Sequence, residues 1–331
     1  MLLFLIRRLF QSVVVILILS LVVFVGVWLI GNPADVLISP EATEADRRAA
    51  IVALGLDKPL WQQYLIFLGN AVQGDWGTSF VYKEPVTDIL LDRMPASFEL
   101  ALVAFVMAIA VSLPCGLYAG LRPDHPLSQA IMAFSLIGVS IPTFWQGILL
   151  IIAFGITVPL FAVGDRGEVA TYFGITSSLF TLDGWQHVIL PAFSLALLKM
   201  SLLIRVIRAS TLEIVNLDFV KFAYAKGVRT RVVVTRHIFR NALIPVITII
   251  GIELGNLLAY AVITETVFSW PGLGKLLINS IQVLDRPMIV AQLVYTALLF
   301  IAINFIVDVL YIVIDPRVKE AMGRAGAGRR P

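Results

Sequence analysis

The sequence predicts an all-α integral membrane protein with six transmembrane helices, and three observations carry that reading. Of its 331 residues, 59% are hydrophobic and 14% charged, with a mean hydropathy of +0.92. A soluble domain is nearer half apolar and a quarter charged. The apolar residues gather in runs at about 9–30, 98–121, 128–160, 188–207, 242–264 and 288–314, and about 20 such residues cross a hydrocarbon core of about 30 Å. Lys and Arg are shared unequally among the connecting segments, which is what sets orientation in a bilayer.

The first run follows Arg7 and Arg8 and carries no charge before Asp35. It is longer than the roughly 7–15 residues of a signal-peptide core, and no small-x-small cleavage site follows it. It reads as a retained anchor helix over residues 1–30. Residues 31–95 read as an extracytoplasmic segment with two short helix patterns between Thr43 and Phe80. Asp57 stands before Lys58–Pro59 as a helix start, and "EPVTDILLDRMP" forms a third short helix. The expectation is a small helical cap joining the first two spans.

The third run has no Asp, Glu, Lys or Arg from His125 to Gly164. That is too long for one straight span and too short for two spans plus a turn. Pro142 and Pro159 interrupt it, so "SIPTFWQG" marks a kink followed by a re-entrant or outer-surface piece. "GLYAG", Gly116–Gly120, is a small-xxx-small pattern suited to helix packing within the chain.

Charge then orients the chain. Residues 31–99 hold 5 Lys/Arg against 10 Asp/Glu, and 161–187 hold 1 against 3. Residues 205–240 hold 8 against 2, and the tail from Asp308 holds 5 against 3. Basic segments stay in the cytoplasm. Both termini are therefore expected inside, and loops 31–97, 161–187 and 265–287 outside.

The lone Cys115 excludes an internal disulfide and a cysteine metal cluster. His125, His187 and His237 lie far apart and show no ligand spacing. There is no phosphate-binding G-x-x-x-x-G-K-[ST] loop: in "PGLGKLL" the spacing is wrong and Leu276 stands where Ser or Thr would. It reads as a Pro-Gly turn beyond the fifth span. No catalytic residue, metal site or cofactor is expected.

Ionisable residues inside the runs are the remaining candidates. Glu253 sits mid-way along the fifth span, within the GxxxG pattern Gly251–Gly255. A charge at that depth is unfavourable by about 2.5–3.5 kcal/mol, so it must face the bundle or a pathway; an interhelical hydrogen bond and a pathway-lining role both remain open. Lys199 interrupts the fourth span and is expected to snorkel to the cytoplasmic surface, with pairing to Glu253 as the alternative. Glu265 closes the fifth span at its outer end, where it could seal a gate.

The most informative stretch is Asp218–Pro245, with six Lys or Arg and one acid. Asp218–Lys226 has helical character, with Phe219, Phe222 and Ala223 at i, i+3, i+4. Gly227 permits a left-handed residue that ends the helix. Small Ala223 and Ala225 allow close approach, and Phe222 and Tyr224 can anchor in a pocket. A second helix runs from Thr230 through Pro245. Binding to anionic lipid and docking to a soluble partner both fit this pattern.

Here the chain resembles the permease subunits of ABC importers, in the dipeptide/oligopeptide/nickel branch. The resemblance rests on Asp218, Phe219, Val220, Ala223, Ala225, Lys226 and Gly227, then Arg236, His237, Arg240, Asn241, Ala242 and Pro245. Of the generic Glu-Ala-Ala-x-x-x-Gly importer motif, Lys221-Phe222-Ala223 stands where Glu-Ala-Ala would be. "LFLIRRL", "SLVVF", "LGLDKPLWQQYLIFLGNAVQGDWGTSF", "SIPTFWQG", "HVILPAF", "ETVFSWPGLG" and "VDVLYIVIDPRV" follow the branch's order along almost the whole chain.

The resemblance implies a type I importer core over 96–315, a cytoplasmic coupling loop at 205–240 and a cytoplasmic tail at 316–331. It implies that Asp218, Lys221, Phe222, Ala223, Tyr224, Ala225, Lys226 and Gly227 meet an ATPase, and that Glu253, Glu265 and Lys199 are pathway or gate candidates. The implied partners are a homologous second permease, two ATP-binding-cassette ATPases and an extracytoplasmic binding protein that delivers a peptide or related solute. No nucleic acid is implied. The implied location is a bacterial or archaeal inner membrane. The rivals are a transporter driven by an ion gradient, which would favour inverted repeats and paired intramembrane acids, and a membrane enzyme, which would need clustered His, Asp or Cys.

Overall fold

A computed structural model describes residues 2–30, 43–53, 55 and 57–314. The expectations for 31–42 and for the tail 316–331 lie outside the described residues. The chain divides into two compact units, Met1–Ser97 with Pro271–Ala302, and Phe98–Trp270 with Ile303–Pro331. Among the described residues five helices are long and apolar enough to cross a membrane, and six spans result if one bent pair counts as a span.

In the first unit, α1 (Leu2–Ile30) is followed by the short helices α2 (Glu44–Ala53) and α3 (Leu60–Val72). The expected start at Asp57 is displaced: Pro59 is the N-cap residue, and no side chain caps the helix. Helix α3 lies along α1. Tyr64 donates its hydroxyl to the Leu17 carbonyl at 3.2 Å and bonds the Ser20 hydroxyl at 2.9 Å, while Phe24 packs edge-on against Tyr64.

The expected third short helix does not stand alone. Residues 86–97 are the start of one continuous helix, α4 (Val86–Leu121). Pro95 lies inside it, where a proline costs about 3 kcal/mol. Burial outweighs that cost, because Val86, Leu90, Ala96 and Leu100 are all 2% exposed or less and each large apolar side chain contributes about 1.5–3 kcal/mol.

The unit's core joins Val86, Ile89 and Leu90 to Leu273 and Leu276 of α11 (Leu273–Gln282) and to Met288 and Ala291 of α12 (Arg286–Ile314). Asp285 is fully buried at the start of α12 and fully satisfied. It accepts from the Ser79 hydroxyl at 2.5 Å and from the amides of Phe80, Val81 and Met288. Removing any one donor leaves a buried carboxylate short of partners, so the network holds loop 79–81 on the helix end. Gln292 donates to the Leu273 carbonyl in the same core.

The second unit is organised on α7 (Leu182–Val215), the most buried of the spans. Helix α5 (Pro126–Ser140) and helix α10 (Arg240–Val267) pack along it. Small residues set the closeness. A Cβ on Gly116 of α4 would stand 2.6 Å from the Ile207 Cβ, and one on Gly120 would stand 2.5 Å from the Thr211 Cβ. The "GLYAG" pattern is thus used inside the chain, as expected. A Cβ on Gly138 of α5 would fall 2.5 Å from the Leu197 carbonyl oxygen.

The third apolar run breaks at "SIP". α5 and α6 (Thr143–Leu150), with its π-helical continuation Ile151–Thr157, bend by 111°. Pro142 supplies the N-cap with no side-chain bond. Gln146 spans the break instead, its amide donating to the Gly138 carbonyl at 3.1 Å and the Ile141 carbonyl at 2.7 Å. Beyond it lies a hairpin the sequence reading lacked, with β1 (Ala170–Tyr172) antiparallel to β2 (Ile175–Ser177) and Tyr172 opposite Ile175.

Candidate functional site

After α7 ends at Val215, the chain turns into α8 (Asp218–Ala225). Its inner face is Val220 and Ala223, 0% and 7% exposed. They sit in a cluster with Ile214, Val233, Ile238 and Ala242, backed by Leu117 and Leu121. The residues at i, i+3, i+4 spacing divide between the two faces of the helix. Val220 and Ala223 face inward, while Phe219 and Phe222 face out at 42% and 58% exposed. An eight-residue helix held between two long ones has its facing set by those neighbours, and the compact side chains are the ones that fit against them.

The helix ends on Gly227, at φ +74°. The Gly227 amide bonds the Tyr224 carbonyl at 2.9 Å and the Val228 amide bonds the Ala223 carbonyl at 3.2 Å, the two bonds of a Schellman cap. Val228 packs on the same apolar cluster as Ala223. No atom lies within 4 Å of a Cβ built on Gly227. The glycine is needed for its backbone angle, not for space.

What the knob offers outward is aromatic and basic. Tyr224 is 42% exposed beside Phe219 and Phe222. The Lys226 ammonium sits 4.4 Å from the Phe222 ring centre, and the exposed Lys221 and Asp218 approach to 3.5 Å. Ala225 is exposed. Of the coupling candidates, Ala223 alone faces inward and supports the helix from beneath. The segment Thr230–Val232, α9, then runs through a π-helix, Val233–Phe239, into α10. The sequence shows no sign of that π segment, a rare form that is frequent at functional sites. Arg229, Arg231, Arg236 and Arg240 are exposed along it.

Lys199 is buried at 4% exposed and its ammonium bonds the Glu253 carboxylate. Snorkelling, the expectation for Lys199, is overturned: a carboxylate within reach neutralises the charge without the ammonium travelling along α7 to the surface. Glu253 lies half-way along α10, and the pair ties α7 to α10. The expected close approach of another helix at the Gly251–Gly255 pattern falls in part on Gly255, whose side-chain surroundings lie outside the described residues. Glu265 is fully buried near the end of α10, and its carbonyl accepts the Trp270 amide at 2.8 Å.

A second ionic group was not foreseen from sequence. Glu99 of α4 receives Arg166 through Nε at 2.8 Å and Nη2 at 2.5 Å, and the Ser178 hydroxyl at 2.8 Å. The available signal was that Arg166 is the sole Lys or Arg of the 161–187 loop.

Comparison with known proteins gives concordant results. Residues 112–320 match the family described as binding-protein-dependent transport system inner membrane component. Residues 1–101 match the N-terminal region of binding-protein-dependent transport system membrane components. The chain is similar to the oligopeptide transport system permease protein AppB of Bacillus subtilis (strain 168), 37% identical over 96% of this chain and 99% of the relative. It is 38% identical to the di/tripeptide transport system permease protein DppB of Pseudomonas aeruginosa (strain UCBPP-PA14), over 88% of this chain and 90% of the relative. It is 35% identical to the glutathione transport system permease protein GsiC of Escherichia coli (strain K12), over 96% and 99%.

Proposed function

The chain belongs to the family of binding-protein-dependent transport system inner membrane components, and on that premise we propose that α8 is the point at which an ATPase partner grips it to drive uptake of a peptide. The observation that carries this is the knob itself. Val220 and Ala223 bind it to the bundle, Gly227 stops it, and Phe219, Phe222 and Tyr224 stand exposed on a basic surface. Exposed aromatics on a rigid support are what a partner pocket takes. Because α8 follows α7 directly and leads through the π segment into α10, a push on the knob reaches the two spans that hold Lys199 and Glu253. That is two-state gating driven by a partner's binding energy.

The complete transporter pairs this chain with a homologous permease, two ATP-binding-cassette subunits and an extracytoplasmic binding protein. ATP hydrolysis belongs to the ATPases. Both termini and α8 face the cytoplasm. Relatives named for oligopeptide, di/tripeptide and glutathione transport favour a short peptide as solute. Lys199 and Glu253 border the pathway, and Glu265 helps close its outer end.

The test uses the whole complex in proteoliposomes. Phe222→Ala removes an exposed side chain, so insertion and assembly of the bundle persist. Truncating an anchor of this kind costs about 2 kcal/mol, or about 30-fold in ATPase affinity, and ATP-driven uptake falls with it. Gly227→Asp strains the backbone by about 1–2 kcal/mol and uncouples ATP hydrolysis from uptake. Unchanged uptake in both variants overturns the assignment of α8. Uptake that persists without the ATPases and collapses with a protonophore replaces it with an ion-driven carrier.

A further inference from the structure

Within the first unit a cavity of about 250 Å³ opens between α1, α3 and the start of α12. Its apolar walls include Phe24, Val27, Phe67 and Val290, and Lys58 and Arg286 also line it. Arg286 gives one guanidinium N–H to the Trp28 carbonyl at 3.2 Å. Among the described residues neither Lys58 nor Arg286 has a carboxylate within ion-pair distance. Among the described lining residues Asp75 is the one acid, and its carboxylate accepts the Gly77 amide at 2.9 Å. Two cations against one acid make this described lining positive.

Position narrows the occupant. The apolar span of α1 covers Arg8–Leu29 and that of α12 begins at Arg286, so the cavity lies where two spans end and a bilayer has its headgroups. Helix α3 carries no charged residue and follows α1 back to Leu17, about 18 Å of helix before Leu29. Its Leu65 and Ile66, and Leu21, Val22 and Leu29 of α1, are exposed apolar side chains. The surface beside the cavity is therefore one for hydrocarbon.

We propose that this cavity is a binding site for an anionic phospholipid of the leaflet at the C-terminal end of α1. Its phosphate lies between Lys58 and Arg286, and its acyl chain runs between Phe24 and Phe67. Basic pockets between spans at the headgroup level hold anionic lipid in this way. A peptide has no long hydrocarbon to fill the aromatic walls, and free phosphate leaves them empty. The site is independent of the α8 assignment, so either can fail alone.

The assembled transporter is equilibrated with vesicles of phosphatidylglycerol or phosphatidylcholine, and the lipid retained per complex is read by native mass spectrometry. Wild type is expected to retain phosphatidylglycerol in preference to phosphatidylcholine. Lys58→Ala is expected to lower phosphatidylglycerol retention about fivefold and to leave phosphatidylcholine unchanged. Ile66→Trp, which fills the mouth from an exposed position, lowers both. Intact assembly is checked by the presence of all subunits in the same spectrum. Equal retention of both lipids by wild type, or retention unaltered by either variant, overturns the site. Displacement of the lipid by excess inorganic phosphate makes it an ion site, and displacement by a tripeptide makes it a solute site; either result overturns the proposal.

Discussion

The second unit contains two ionic arrangements built on different principles. Glu99 is met by an Arg fork and a hydroxyl, three donors at 2.5 to 2.8 Å on one carboxylate. They join the loop at Arg166 and the turn at Ser178 to α4. Glu253 is met by a Lys ammonium carried on the neighbouring span. A guanidinium fork fixes distance and angle together, whereas an ammonium is a point charge on a flexible stem. The first arrangement is suited to holding a loop in one place. The second balances charge between two spans with a contact that fixes distance but not angle. Charge in this unit is thus satisfied in two ways, one by a geometry that fixes orientation and one by a point contact between spans.

The sharpest way to break that contrast is to remove one partner from each. Glu99→Ala strands a largely buried Arg166, a loss of about 3–5 kcal/mol, so the purified complex is expected to unfold at clearly lower temperature. Ser178→Ala removes one hydrogen bond to a charged group, worth about 1.5–3 kcal/mol, and the melting temperature falls less. Lys199→Ala is expected to cost less than Glu99→Ala in stability, about 2.5–3.5 kcal/mol for the acid left without that partner inside a span. Its effect should appear in peptide uptake, and exchange of the two charges, Lys199→Glu with Glu253→Lys, should restore it. Glu253→Gln keeps shape and a hydrogen bond, so it has the smallest thermal effect while still lowering uptake. If Lys199→Ala melts as early as Glu99→Ala, the pair is a staple too and the contrast fails. If Glu253→Gln takes up peptide at the wild-type rate, the pathway role is lost.

Much of this was legible along the chain because it is local. The six runs appear as five long helices and one bent pair, since run length against bilayer thickness is a one-dimensional property. The stop at Gly227 is local as well, because a left-handed residue is required wherever the backbone takes that angle. The merging of 86–97 into α4 was not legible. Pro95 argues for a break, and only burial of Val86 and Leu90 against residues far along the chain overrides it. The division of α8 into an inward and an outward face had the same origin, for spacing marked apolar positions but not which of them the bundle covers.

Residue order was enough to establish a multi-span membrane protein, where its apolar runs lie, and a basic helical stretch between two of them that stops at Gly227. The tertiary structure alone decided that Lys199 meets Glu253, that Arg166 meets Glu99, and that Lys58 and Arg286 share a cavity. The distinction is one of range. Hydrophobic length and backbone angle act over neighbouring residues, whereas an ion pair depends on two side chains being brought within 4 Å, and only packed helices fix which of the possible partners that is.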